Sequence, residues 1–178
     1  MVMTFPERAP RLIVSDIDGT LLDRNHRVPK RNREAVSRAV AAGAEFALAT
    51  GRPFRWIMPV LEQLPVRPVC VTSNGAVIYD SAEDRVLSAH ELSPEALAET
   101  VNVASRVLQP LGGAGFGAER AGGSLLDPVE ELFVVESHYS ENALFEGFGL
   151  VSVGELVAKP AVKLLIRNTD YSAPELYE

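Results

Sequence analysis

Three short apolar runs in the first half of the chain each end in a polar, glycine-bearing turn. They are LIVSDIDGT at residues 12–20, FALATGR at residues 46–52 and VCVTSNG at residues 69–75. Runs this short, closed at once by such turns, suit buried strands better than helices. Between the first two lies a helical pattern. Pro29 can open it without losing a needed N–H, Val36, Ala39 and Val40 share one face, and Gly43 closes it. Strand, helix and strand in this order predict βαβ units and an α/β fold with a parallel sheet. Open sheets of this kind place ligands at the carboxyl ends of their strands, where the three polar turns fall.

The spacing predicts a buried parallel strand over residues 11–17. It also predicts a helix in PFRWIMPVLEQL, broken or kinked at Pro59, and a hairpin of AVIYD and RVLSAHEL around Ser81–Asp84. The rest of the chain has a different character. Ser93 and Pro94 start an amphipathic helix with Leu97, Val101, Ala104 and Leu108 on one face. GGAGFGAERAGG reads as a mobile loop or irregular strand edge, and it lacks the order of a nucleotide-binding glycine loop. ELFVVESHY and AVKLLIRN read as strands, and SAPELYE opens like a helix capped by Ser172. The two halves read as separate domains with a boundary near residues 82–92.

The 178 residues are 47% hydrophobic and 23% charged, ordinary globular composition, with a formal net charge of −7. That charge disfavours non-specific binding to nucleic acid or anionic membranes, so neither is expected as a partner. The single cysteine, Cys70, sits in an apolar run and reads as a buried core thiol. One cysteine rules out a disulfide within the chain and a four-cysteine metal site, and it fits a reducing cytoplasm. No apolar run approaches the roughly 20 residues that span a bilayer. The N-terminal MVMTFPERAPR reads as a frayed leader, not a signal sequence.

Asp16 and Asp18 are the chemical centre. A carboxylate at Asp16 can attack a phosphate monoester directly and form an aspartyl-phosphate that water then hydrolyses. Both partners are anions, so the chemistry calls for a hard cation bound by oxygen ligands, Mg2+. Asp18, set apart by one residue, can protonate the leaving alkoxide and then deprotonate water. Gly19 allows a tight turn and Thr20 can brace it. Thr50 has a short hydroxyl donor for a phosphoryl oxygen, with the N–H of Gly51 beside it. Arg52 can orient Asp16, support the phosphate or form a surface ion pair. Asn74 and Gly75 can shape the cleft floor. Lys163 is either a strand residue with its head in water or a substrate contact. His26, His90 and His138 show no metal-ligand spacing and read as surface or structural residues.

VSDIDGTLLD, LATGRP and SNGA together resemble the haloacid-dehalogenase-like phosphohydrolases, in particular the Cof-type group with a large α/β cap. The resemblance implies a Rossmann-like core interrupted by that cap. Residues 1–84 would form the first half of the core and 85–178 an incomplete cap. It implies Asp16 as nucleophile, Asp18 as general acid and base, and Thr50 as the phosphate-binding residue. Mg2+ would be held by the Asp16 carboxylate and by a backbone carbonyl at Asp18 or the Ile17 peptide. Members of the family return to the core after the cap with a phosphate-binding lysine and an acidic segment. Neither follows Lys163 here, and Asp170 does not match that segment. The chain is therefore expected to be the front portion of a longer protein, and one prone to self-association through an open strand edge. The activity implied is hydrolysis of a small phosphorylated metabolite, a sugar phosphate or phosphorylated cofactor. A phosphomutase-like transfer enzyme and a non-catalytic metal- or phosphate-binding fragment are the competing readings.

Overall fold

A computed structural model describes residues 10–141 and 147–176. The described residues divide into two compact units, the first ending at Ser88 and the second beginning at Ala89. Both are α/β, as expected.

In the first unit, strand β1 (Leu12–Asp16) leads through helix α1 (Lys30–Ala41) to strand β2 (Glu45–Ala49). Pro29 directly precedes α1, and Gly43 leaves it with a left-handed φ of 92°. A single helical turn, α2 (Met58–Leu61), precedes β3 (Val69–Thr72), β4 (Val77–Asp80) and β5 (Arg85–Ala89). The sheet order is β1-β2-β3-β4-β5. β1 and β2 are parallel, as are β2 and β3, whereas β4 returns antiparallel to β3. The hairpin expected around residues 81–84 is present, with Asp80 accepting from the N–H of Ala82 at 2.9 Å.

Two expectations are corrected here. β1 is not fully buried: it lies at the end of the sheet order, and the face that carries Leu12 and Val14 remains 52% and 53% exposed at those residues. The PFRWIMPVLEQL segment is no continuous helix. It makes a short turn at Phe54–Trp56 and then α2, with Pro59 in that helix's first turn, where a missing N–H is tolerated. Phe54 turns inward and stacks on Tyr79 of β4, with ring centroids 4.8 Å apart. Both rings are buried, so this contact anchors the chain just after Arg52.

The second unit begins with helix α3 (Pro94–Leu108), whose first turn is capped by Ser93 Oγ accepting from the N–H of Ala96 at 3.3 Å. Then come β6 (Gly115–Glu119), α4 (Val129–Leu132), β7 (Phe133–Val135), α5 (Ser137–Ser140), β8 (Gly149–Leu150), α6 (Val153–Val157) and β9 (Lys163–Arg167). The sheet order is β8-β7-β6-β9. Leu97 and Val101 of α3 and Leu156 of α6 pack on Phe116, Ala118 and Val134. Phe133, Val135 and Tyr139 form a separate cluster.

The glycine-rich segment is the largest correction. Residues 115–119 are no mobile loop but an inner strand, buried at every position. A Cβ at Gly115 would lie 2.5 Å from the backbone nitrogen of Tyr139, and one at Gly117 would lie 3.4 Å from its ring. Here glycine serves close packing and not flexibility. Among the described residues, no helix is long and apolar enough to cross a membrane.

Two outcomes follow from this packing. Gly115→Ala should lower the urea midpoint, with a loss of about 1–3 kcal/mol, because backbone must move to admit the methyl group. Cys70 is fully buried and its thiol is pushed up to about 12 by burial. It should therefore resist iodoacetamide at pH 8 until the unit unfolds, which mass spectrometry across a urea series would show.

Candidate active site

The in-register parallel pairing sets Asp16 opposite Ala49, and Ala49 opposite Val71. Three neighbouring strands therefore end at one level, and their following turns meet. Thr50 N–H donates to Val71 C=O at 2.9 Å, Asn74 N–H to Thr50 C=O at 3.1 Å and Ser73 N–H to Arg52 C=O at 2.9 Å. The third turn is thus fastened to the second. Ser73, Asn74 and Gly75 all take left-handed conformations, with φ of 51°, 60° and 98°. Such a run is costly for side-chain-bearing residues and needs these outside bonds to hold it. A Cβ on Gly51 would come within 3.1 Å of Asn74 Nδ2, so the absent side chain lets the two turns approach.

Asp16 ends β1 and is exposed. Its Oδ2 accepts from the Thr20 hydroxyl at 3.2 Å. Gly19 reverses the chain at a φ of 74°, and Leu22 N–H closes the turn on Ile17 C=O at 3.0 Å. Thr50 is buried, and its Oγ1 accepts from Arg52 N–H at 3.1 Å. Its own hydroxyl proton remains available to donate.

Arg52 does not reach Asp16, one of the partners considered for it. It grips Asp18 with two bonds, Nε to Oδ2 at 2.8 Å and Nη2 to Oδ1 at 2.5 Å. This two-pronged arrangement is the strong form of a carboxylate–arginine pair. The hydrogen bonds from Arg52 hold the Asp18 carboxyl below the usual carboxylate range. Burial opposes them, and to a lesser degree the charges of Arg52 and His26 add to the lowering. Arg52 is pushed up in turn, mainly by the same bonds.

Lys163 belongs to the second unit. It lies on β9, with its Nζ 3.9 Å from the buried Glu119 carboxylate on β6. His26 is exposed, as expected of a surface residue. In the structure, His26 and Arg24 join Asp18, Gly19, Leu22 and Asp23 around a cleft of about 570 Å3. Within DRNH, His26 itself takes a left-handed φ of 56°, which histidine tolerates better than most residues.

The residues near Asp16 offer oxygen donors, a carboxylate and the Asp18 carbonyl, which suit a hard divalent cation. Among the described residues, no group of three His, Cys, Asp or Glu is placed to hold a metal. The oxygen set fits Mg2+ in kind but fills only part of its usual shell.

Comparison with known proteins adds an independent line. The family profile of haloacid dehalogenase-like hydrolases matches residues 13–110. The phosphatase YwpJ of Bacillus subtilis is 39% identical over 70 residues, covering 39% of this chain and 25% of that protein. The 5-amino-6-(5-phospho-D-ribitylamino)uracil phosphatase YwtE of Bacillus subtilis is 37% identical over 71 residues, covering 40% of this chain and 24% of its own length. A solved Thermotoga maritima protein shares the fold with a TM-score of 0.64 at 21% identity, over 90% of this chain and 57% of that one. These alignments thus span about a quarter of the two curated relatives and just over half of the solved structure.

Replacing Arg52 tests the electrostatics directly. Arg52→Ala should raise the Asp18 carboxyl toward the ordinary range in a 13C NMR titration. The sign for stability follows from the depressed native value. The pair stabilises the fold above the ordinary carboxylate pKa and loses that effect as pH falls through the depressed one. Asp18 is half exposed, so the effect on unfolding should be small and weaken with salt.

Proposed function

The chain belongs to the haloacid dehalogenase-like hydrolases, and from that premise we propose that it carries the nucleophile half of a phosphate-ester hydrolase site. The observation that carries this reading is the meeting of Asp16, Thr50 and the Arg52–Asp18 pair at the ends of adjacent parallel strands. An Asp16 oxygen attacks phosphorus, the bond to the leaving oxygen breaks, and an aspartyl-phosphate forms. Thr50, with Gly51 beside it, binds a phosphoryl oxygen and stabilises the charge that grows there. Asp18 donates the proton to the leaving alkoxide. It then takes one from water, which attacks the acyl-phosphate and frees Asp16.

The Arg52 pair keeps Asp18 ionised, suited to the base step. Mg2+, held by the Asp16 carboxylate and Asp18 C=O, would offset the repulsion between the carboxylate and the phosphate. Thr20 and Ser15 hold the Asp16 segment in place through the bonds from Thr20 Oγ1 to Oδ2 and from Ser15 Oγ to Asp16 C=O at 2.8 Å.

A small phosphorylated metabolite is the substrate class this reading favours, a sugar phosphate or phosphorylated cofactor. The relative named for a phosphoribitylamino-uracil supports it, since that substrate joins a sugar-alcohol phosphate to a heterocycle. The finer assignment is a Cof-type member whose residues 1–84 belong to the core and 85–178 to the cap. In that assignment the phosphate-binding lysine and acidic segment lie in further sequence. The modest share of each relative that the chain covers supports it.

The test measures phosphate release from sugar phosphates by this chain and by a longer protein that contains it. Asp16→Asn should abolish turnover while leaving circular dichroism unchanged, and retained turnover would remove Asp16 as nucleophile. Thr50→Ala should cost roughly 100-fold in kcat, by the scale of other lost donors to a developing oxyanion. Chelation with EDTA should stop the reaction, and added Mg2+ should restore it.

A further inference from the structure

The turn after Leu22 forms a second wall of the cleft at Asp18. Leu22 and Val28 are buried, and Val28 N–H donates to Gln63 Oε1 at 3.0 Å, so both feet of the turn are fixed. Asp23 braces the interior. Its Oδ1 accepts from the N–H of Asn25 at 2.8 Å and of Arg27 at 3.0 Å, and its C=O accepts from His26 N–H at 3.0 Å. His26 takes the left-handed conformation this requires, with a φ of 56°. Arg24 and His26 emerge beside Asp18 and line the cleft of about 570 Å3. That volume suits a small organic group.

The acidic and basic groups of this wall differ in whether they have partners. Both carboxylates are engaged, Asp18 by Arg52 and Asp23 by the turn's own N–H groups. Among the described residues, neither the Arg24 guanidinium nor the His26 imidazole makes a side-chain hydrogen bond. What Arg24 and His26 offer a ligand here is unengaged donor capacity, beside two carboxylates of the same cleft that already have partners. An anion entering the cleft meets these donors, while Arg52 offsets the Asp18 charge.

We propose that Arg24 and His26 bind the leaving group of the phosphate ester, and that they favour leaving groups that carry a carboxylate over neutral ones. This rests on the phosphate lying at Asp16 and Thr50, as read above. The two residues determine specificity and take no part in bond breaking.

Calorimetric titrations of the chain, with Mg2+ present, would compare 3-phosphoglycerate, glycerol 3-phosphate and inorganic phosphate. The two esters share a skeleton and differ by a carboxylate in place of a hydroxymethyl group. The wild-type chain should prefer 3-phosphoglycerate by roughly tenfold or more, the scale of one charge-assisted contact. Arg24→Ala and His26→Gly should each bring that ratio toward one, and glycine suits the left-handed backbone at 26. Arg24→Lys should keep part of the preference, and none of these variants should alter affinity for inorganic phosphate. Equal affinity for both esters in the wild type, an intact preference in the variants, or a parallel loss of inorganic phosphate would overturn the proposal. Thr50→Ala is the separate control. Undiminished binding of inorganic phosphate by that variant, or none by the wild type, would overturn the phosphate site and the leaving-group assignment with it.

Discussion

The parallel register of β1, β2 and β3 is the constraint on which the site depends. Asp16, Ala49 and Val71 lie side by side, so three chains leave the sheet together and their backbone groups lose ladder partners together. Those groups cannot go unbonded at low cost. They find one another across the turns, as Thr50 does with Val71, Asn74 with Thr50 and Ser73 with Arg52. Site assembly and strand termination are thus one problem with one solution. The left-handed run at residues 73–75 is the local strain this solution tolerates. The Phe54–Tyr79 stack secures the far end of the Thr50–Arg52 turn against β4.

Within that frame, the two aspartates receive different environments from neighbouring positions. Asp16, at the strand end, accepts from the Thr20 hydroxyl. Asp18, past the glycine turn's start, is clamped by a guanidinium from the next strand's turn. Chemistry that needs one nucleophile and one proton carrier gains from such a division, because the two groups must not exchange roles. The division is made by register, since Arg52 sits two residues beyond Thr50 in a turn held by β3.

Much of this was legible in the sequence where local chemistry decides the outcome. The apolar runs, the Gly43 stop and the Ser93 cap act through nearby atoms, and strand ends, α1 and α3 were read from them. What was misread depends on distant partners. Gly115 and Gly117 signal flexibility until Tyr139 is known to pack against them, and then they signal closeness. β1 reads as buried from its side chains, yet burial depends on what covers each face of the sheet. The partner of Arg52 rests on how turns far apart in sequence meet. A list of motifs names such residues without pairing them.

The net charge of the chain and the individual charges of its site act over different ranges. A net charge of −7 opposes any anion at a distance, yet salt limits that field to about 8 Å at physiological strength. Inside that range the residues nearest Asp18 include Arg52, and Arg24 and His26 line the same cleft. An approaching anion is therefore governed by this local set once it is close, and by the bulk charge only before then. Raising ionic strength weakens the distant repulsion, but it also weakens the exposed donors of the cleft. The clamped and partly buried Arg52–Asp18 pair is screened less than either. The site can therefore keep its internal charge arrangement under conditions that erase the long-range field, and local geometry outranks composition in setting what it accepts.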